Sequence, residues 1–447
     1  MPVFGVLLLA VSAPAAQFPA NRYDPLSKGE LGGGLSRANA CGSVMNSVGR
    51  ATVGLSSTLS GDLHAFYEDD NGLLDLGTFG GPNSEAMALG LRRDVVGWAD
   101  SFDANGNVVP RAFSWHPSSG LTDLGDLGGA RSWATGIDPY LGNICGHSEN
   151  SNGDLRAFWI DLNTGTMQDC GDLGAGRSLA HATQAGMVVG ESVTVSGSKH
   201  AFSWSQSGGM LDLGTLSGNM SVASAISING YICGWSSDSN FDTHAVFFQS
   251  FPTAQVVDCG TLGGKISFGN SINNRAQIVG ASEDGAGGWR AFLWDNATRT
   301  MVDLNDFIHP QSGWVLEFAT HITDLGFISG SGTLNGQTTA FLLRPFSMSI
   351  VRGAGNTATF SASYLDPGQE VWFAGSLNLG SWPLPGFPGL TLGLANPQLV
   401  GSAITPGWGG PASFSRSVPP SASGLTIHFQ AGIPKRYLLS PIFTKSF

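Results

Sequence analysis

The sequence predicts an all-β protein: a seven-bladed β-propeller closed by an N-terminal strand and followed by a C-terminal β-sandwich. Three observations carry that expectation. A unit of about 45 residues recurs along most of the chain, a period typical of propeller blades. Each copy holds four short apolar runs separated by turn signals. Only 12% of the residues are charged, glycine alone accounts for 64 and aromatics for 10%, the balance of a glycine-punctuated β protein and not of a helical one. A length of 447 residues exceeds one ordinary core, so a repeat-built domain over 20–345 and a smaller one over 346–447 are expected.

Residues 1–16, MPVFGVLLLAVSAPAA, hold an apolar run from Val3 to Val11 and then Ala13-Pro14-Ala15, which fits the small-x-small cleavage pattern of a secretory leader. No positive charge precedes the apolar run, as such leaders normally require, and a buried N-terminal strand is the alternative reading. No other segment has the apolar length to span a bilayer. The mature protein is therefore expected to be soluble, not membrane-spanning, and secreted or held at the cell surface. A net charge of -12 and a pI near 5.0 exclude nucleic acid and anionic membranes as natural partners, since both select a basic surface.

Three signatures then recur in fixed order. The first is a dipeptide ending an apolar run: Val53-Gly54, Val96-Gly97, Cys145-Gly146, Val189-Gly190, Cys233-Gly234, Val279-Gly280 and, more loosely, Ser329-Gly330. The second is His/Arg-Ala-Phe, opening at His64, Arg111, Arg156, His200, His244 (with Val246 in place of Phe), Arg290 and, degenerate, Thr339. The third is Asp-Leu-Gly or Asp-Cys-Gly, from Asp75, Asp123, Asp169, Asp212 and Asp258, with Asp303-Leu304-Asn305 last. A Gly-rich turn and Ser-x-Ala-x-x-Ile follow most of these. In the clearest copy the first strand is expected over Ser221–Ile226, the second over Tyr231–Trp235, the third over His200–Trp204 and the fourth over Met210–Leu213.

A stacked solenoid is the competing architecture, but the ends of the array favour a ring. The seventh copy supplies a first strand around 316–322, a second around 327–330 and a third over 340–343, and no fourth. Residues 21–26 are placed like a fourth strand with nothing ahead of them. Docking that strand on the last blade joins the two ends and covers an exposed sheet edge. Pro25 is tolerable there because the strand is outermost.

Within the first strands, small residues fall at every second position, as in Ser36-Ala38-Ala40, Ser84-Ala86-Ala88 and Ser221-Ala223-Ala225. Period 2 places them on one sheet face, where blades converge and room is short. The residue opening the third strand is expected beside the Asp closing the fourth, as His64/Asp75, Arg111/Asp123, Arg156/Asp169, His200/Asp212, His244/Asp258 and Arg290/Asp303, with Thr339 and Asp24 in the closing blade. A pair repeated in every blade reads as a structural tie, since catalysis needs one asymmetric site.

The five cysteines take apolar positions of this pattern: Cys41 on a first strand, Cys145 and Cys233 on second strands, Cys170 and Cys259 on fourth strands. Within a blade the second and fourth strands lie about 9.5 Å apart, too far for a disulfide. Buried free thiols are expected, with a bridge between adjacent blades still open. No zinc spacing occurs.

Residues 31–344, with their His-Ala-Phe motifs, the Asp-Leu-Gly-Thr-Leu turn at 212–216, its Cys259 variant at 258–262 and the Ile-Val-Gly-Ala-Ser end at 278–282, resemble the HAF-repeat family of predicted extracellular bacterial proteins. That resemblance implies secretion and a repeat fold, and it brings no catalytic residues. From 346 the repeats stop, Pro rises, and alternating runs appear at 357–364, 370–373, 412–418 and 425–430, which read as a β-sandwich. This part is similar to C-terminal modules of secreted repeat proteins, implying sorting, anchoring, partner binding or simple capping.

No nucleophile elbow, zinc-protease helix, P-loop or dinucleotide fingerprint occurs, so no catalytic residue and no metal site is assigned. Two features remain for binding. The loops between second and third strands are acidic and polar: Asp100, Asp103 and Asn105; Glu149 and Asp154; Asp238 and Asp242. Their oxygens could hold Ca²⁺, the one cofactor considered, or hydrogen-bond sugars, although no full EF-hand loop is present. The other feature is in the seventh copy, where Glu317 stands at the recurring Ser and His321 at the recurring Ala or Gly, placing a carboxylate and an imidazole on one channel-facing side. The leading expectation is a secreted, non-enzymatic scaffold for an extracellular glycan or protein. The alternatives are a propeller enzyme acting on extracellular polysaccharide and a structural subunit of an extracellular assembly.

Overall fold

The structure is a computed structural model and describes residues 23–27, 30–43, 50–69, 71–249, 255–308, 312–345, 347–352, 357–363, 369–383, 391–404, 411–418, 422–423, 425–433, 438–440 and 443–446. The leader expected over 1–16 lies outside them. The chain divides into two compact units, the larger built on Pro25–Asp306 and Pro310–Arg344, the smaller on the residues from Pro345 onward. Among the described residues no helix is long and apolar enough to cross a membrane, and the one helical segment is the short 3-10 turn Leu304–Phe307.

The larger unit is a set of four-stranded antiparallel sheets, each with its strands in chain order except the one that takes the N-terminal strand. In the sheet of the clearest copy the strands are Gly174–Gln184, Met187–Thr194, Lys199–Ser205 and Gly209–Gly214. The third and fourth runs of the His200–Ser236 stretch thus complete one sheet, while its first and second runs, Ser221–Ile226 and Ile232–Ser237, begin the next. That next group and the one starting at Gly263–Ile272 are joined by a single parallel pair, Thr243 with Ile266. The strand Tyr23–Ser27 lies outermost on the sheet of Trp314–Ile322, Ile328–Leu334 and Gln337–Pro345, as expected for an N-terminal closing strand. Each first strand packs against the first strand of the next sheet, and Trp314–Ile322 packs back against Gly32–Ser43. The sheets therefore form a closed ring about an axis, the arrangement of a β-propeller.

The core is a series of layers between neighbouring sheets. One layer combines Val53, Ala65 and Tyr67 with Val95, Phe113 and Trp115 of the following sheet, and the same composition recurs around the ring. The Phe of His/Arg-Ala-Phe is wholly buried at Phe66, Phe113, Phe158, Phe202, Phe292 and Phe341, each worth about 1.5–3 kcal/mol of burial. The glycine of the Val-Gly dipeptide has a steric cause. A Cβ on Gly54 would stand 1.9 Å from the Arg37 carbonyl oxygen, and one on Gly280 1.8 Å from that of Phe268. No other residue fits there.

Two expectations about the first strands need correction. The small residues do not follow period 2 throughout, because every first strand carries a β-bulge after its Ala, or after Gly269 in Gly263–Ile272, as between Ala38 and Ala40 or Ala223 and Ala225. Nor is the recurring Ser there only because it is small. Ser221 Oγ accepts the Ala201 N–H at 2.8 Å and donates to the Gly214 carbonyl at 2.6 Å, tying its sheet to the preceding one. Ser84, Ser132, Ser178 and Ser267 repeat that bond, and Ser36 makes a longer one, 3.4 Å, from Ala340 N–H across the ring closure.

The outer ties form in five of the six expected pairs. His64, His200 and His244 meet Asp75, Asp212 and Asp258 at 2.8, 2.8 and 2.9 Å. Arg111 binds Asp123 at 3.1 Å and Asp126 at 2.5 Å, while Arg290 is nearer to Asp284, 3.0 Å, than to Asp303, 3.9 Å. The exception is Arg156, which pairs with Asp172 and not with Asp169. Arginine reaches further than histidine, and in both the Arg111 and Arg156 copies a second Asp lies three residues beyond the first. Asp169 instead accepts the Gly171 N–H at 2.8 Å in a local turn. All five cysteines are buried, and Cys145, Cys170, Cys233 and Cys259 are free thiols. Burial pushes the Cys145 thiol up to about 12 and likewise raises Cys170, Cys233 and Cys259 above the ordinary thiol value.

In the smaller unit, a three-stranded sheet orders Ser347–Arg352, Thr357–Ser363 and Ala412–Ser417. A larger sheet orders Gln398–Ile404, Glu370–Ser376, Thr426–Ile433 and Leu438–Leu439, with Phe443–Ser446 also on Thr426–Ile433. Asn378–Pro383 and Thr391–Ala395 form a hairpin. The two sheets share one apolar core, in which Phe360 stacks on Phe414 at 5.1 Å and meets Phe429 edge-on at 5.3 Å.

Candidate functional site

The bulges build the axial site. An extra residue after each Ala turns one side chain per first strand into the channel: Asn39, Met87, Thr135, His181, Ser224, Asn270 and Thr320. With the turns that follow, they enclose a cavity of about 370 Å³. Four of these side chains lace neighbouring strands together. Asn39 Nδ2 donates to the Ala86 carbonyl at 2.9 Å, Thr135 Oγ1 to Ala180 at 2.8 Å, Asn270 Nδ2 to Ala319 at 2.8 Å and Thr320 Oγ1 to Ala38 at 2.7 Å. The last of these spans the ring closure.

His321 lines this cavity as expected, with its Nδ1 3.7 Å from Cys41 Sγ. Burial pushes its pKa down to about 4, opposed only weakly by Asp324, so the ring is neutral at pH 7. Glu317 does not join it. Leu316, not Glu317, pairs at the recurring Ser position, opposite Gly332, and Glu317 is an inserted residue at a second irregularity before Phe318. One extra residue changes the side-chain phase of a strand, so the carboxylate is absent from the cavity lining.

Nearer the other mouth, where the first strands begin, runs a chain of side chains the sequence did not announce. His147 stacks on Trp133 with ring centroids 5.1 Å apart, and burial, then His181, pushes its pKa down to about 4. His181 Nε2 lies 3.8 Å from Glu191, which Lys199 meets at 3.2 Å. Burial alone would raise the Glu191 carboxyl, but His181 and Lys199 outweigh it and hold it below the ordinary value. Lys199 also sits over the Trp235 ring at 5.5 Å. From there an aromatic arc crosses three sheets: Trp235 to Phe268 at 5.9 Å, Phe268 to Trp289 at 6.0 Å, Trp289 to Phe318 at 5.4 Å. Phe318 is 38% exposed and the other three are half-buried.

The acidic loops are distributed over separate hairpins and tied locally. Asp100 is buried and accepts both N–H groups of Asn83 at 3.1 Å. Asp103 closes its own turn on Asn105 and Asn107, and Asn107 above all holds its carboxyl below the usual range. Glu149 pairs with Arg131 at 2.5 Å, and Asn150 caps a turn by accepting the Asp154 N–H at 3.0 Å and donating to the Asp154 carboxylate at 3.4 Å. Asp238 closes a turn on Asn240 and Asp242, whose carboxylate meets Lys265 at 3.3 Å. Among the described residues no group of three or more His, Cys, Asp or Glu is disposed to hold a metal ion. These hairpins and the cavity lie toward opposite ends of the first strands. The motif itself carried the missed signal: in Ser-x-Ala-x-x-Ile the two-residue gap between Ala and Ile breaks the alternation, and the first residue of that gap is the one that enters the channel.

No protein-family profile matches the chain, and no curated protein does. Among solved structures it is similar to TolB from Acinetobacter baumannii, at 15% identity over 57% of this chain and 62% of that one, TM-score 0.41. It is also similar to a puromycin hydrolase, at 12% identity over 76% and 62%, TM-score 0.43, and to the β-propeller domain of the Trilobed protease from Pyrococcus furiosus, at 8% identity over 60% and 86%, TM-score 0.37. The chain thus spans 62% of the length of the first two.

Proposed function

We propose that this chain is a secreted, non-enzymatic member of the HAF-repeat family, a seven-bladed propeller with a β-sandwich accessory, which binds an extracellular glycan at the mouth of its channel. Seven copies of the repeat and the return of the last first strand to Gly32–Ser43 support that blade number. Two sheets sharing one aromatic core support the sandwich. The observation that carries the binding reading is the arc Trp235–Phe268–Trp289–Phe318 with Lys199 at one end. Half-buried rings in a row offer flat apolar faces to the C–H faces of successive sugars, and the adjoining Glu191 and Lys199 offer polar partners for hydroxyls. A protein surface is the other partner such a face could take; the ring spacing favours the glycan. A binder is favoured over an enzyme because the acids in reach are fixed by neighbours in turns and ion pairs.

A glycan array probed with the mature protein, with and without Ca²⁺, tests this. Selective retention of one glycan class without product formation is expected, and Trp289→Ala should weaken it up to about tenfold. Turnover of a bound glycan would overturn the reading, as would retention that Trp289→Ala leaves unchanged.

A further inference from the structure

The smaller unit holds a second cavity, of about 500 Å³, in the size range of small-molecule sites. Phe360 lines it from the three-stranded sheet, Val400, Ile427 and Phe429 line it from the larger sheet, and Val418 closes one side. A well-packed interior leaves few voids of this size, because lining atoms forgo dispersion contacts there. The strand Ala412–Ser417 shows how the space opens. Ala412, Phe414 and Arg416 share one face by period 2; Ala412 is buried and Phe414 half-buried, whereas Arg416 is exposed. The strand therefore carries a guanidinium where the apolar core reaches the surface. Arg416 Nη1 donates to the Val400 carbonyl at 2.5 Å, fixing the group across the gap between the sheets. That bond uses one of several N–H donors. Among the described residues no carboxylate pairs with Arg416, in a chain of net charge -12.

We propose that this pocket binds an amphipathic carboxylate, with its hydrocarbon chain in the cavity and its carboxylate on Arg416. A mainly apolar cavity, with Ser376, Asn378, Asn396, Gln398 and Ser417 as its uncharged polar lining and a single fixed cation at the rim, matches a ligand with one apolar body and one anionic end. The site is independent of the channel mouth.

Calorimetric titration of the full chain with dodecanoate, dodecanol and dodecylammonium tests it. Dodecanoate should saturate one site below its micellar concentration, and shortening the chain should weaken binding by about fourfold per methylene. Arg416→Gln should weaken dodecanoate at least about tenfold and leave dodecanol unchanged, as loss of a charge-assisted bond requires. Val418→Trp, which fills the cavity, should abolish binding of both. Should that variant fail to fold, Arg416→Gln still decides. Dodecylammonium binding as tightly as dodecanoate, or dodecanoate binding indifferent to Arg416→Gln, would overturn the proposal.

Discussion

Replacing Ser221 with Ala removes one oxygen from the most repeated contact of the ring. Ser221 and Ala201 are both fully buried, and the Ser221 hydroxyl is the acceptor for the Ala201 N–H. No water can replace it at that depth. A buried donor left without a partner costs about 1–3 kcal/mol, and the Gly214 carbonyl, half-buried, recovers water and adds little. The lost volume is too small for a large cavity term. The expected destabilisation is therefore about 2 kcal/mol. Spread over an unfolding entropy of roughly 2.1 cal/mol/K per residue for a unit of about 320 residues, that lowers Tm by about 3 °C.

Differential scanning calorimetry and urea midpoints measure it, with Ser203→Ala as the control. Ser203 is buried to 7% exposure and has no side-chain hydrogen bond among the described residues, so the same change should stay within about 0.5 kcal/mol. A graded series sharpens the test: Ser36→Ala, whose bond across the closure is 3.4 Å long, should cost less than Ser221→Ala. Equal effects of Ser221→Ala and Ser203→Ala would refute the claim that the recurring Ser is a tie and return it to a small residue in a narrow space.

Three further outcomes follow from the geometry. Gly234→Ala places a Cβ 1.9 Å from the Val222 carbonyl and should destabilise by about 3 kcal/mol or more, whereas Gly285→Ala, whose Cβ meets nothing closer than 3.8 Å, should be nearly neutral by urea midpoint. His147 and His321 are neutral in the fold down to about pH 4 but protonate near 6.5 when unfolded, so the unfolded chain binds more protons in that window and stability is lost as pH falls from 6.5 to 4, by up to about 3 kcal/mol per histidine. Thermal unfolding of His147→Phe against pH should show about half that slope; an unchanged slope counts against the assignment. A thiol reagent should leave Cys145, Cys170, Cys233 and Cys259 unmodified in the native protein and reach them only in denaturant, since burial disfavours the thiolate at each; rapid native labelling, located by peptide mapping, would contradict their placement.

Architecture was legible because repetition is a strong signal: copies of one four-strand pattern, an unfinished last copy and a spare strand at the start together predict a ring, and Tyr23–Ser27 lies where that logic puts it. The contact partners were less legible, for physical reasons that differ from residue to residue. The reach of Arg156 depends on side-chain length, and its partner Asp172 was visible only by noticing that the Arg111 and Arg156 copies add an Asp where the His copies carry Thr. Glu317 was misplaced because alternation was counted through an insertion, and a single inserted residue reverses every assignment on one side of it.

The same point decides where function can reside on this ring. Positions that repeat are held by contacts between sheets, and their side chains are already engaged: Ser with the preceding Ala N–H, Gly against a carbonyl, Phe in the layer between. The bulge frees one position per first strand from that requirement. Its occupants differ from copy to copy, from Asn39 and Thr320, which lace the strands, to His181, which extends toward Glu191 instead. The neighbouring positions before the bulge vary likewise, from Arg37 to Trp133 to Phe268. A repeated pattern cannot by itself create a selective site; this row is where the chain departs from repetition while keeping its fold. Exchanging Asn270 for Thr, the residue at the matching position of the last copy, should preserve the lace to Ala319 and leave the stability measured by urea unfolding within about 0.5 kcal/mol of the parent, whereas Asn270→Ala, which removes the lace, should lower it by more.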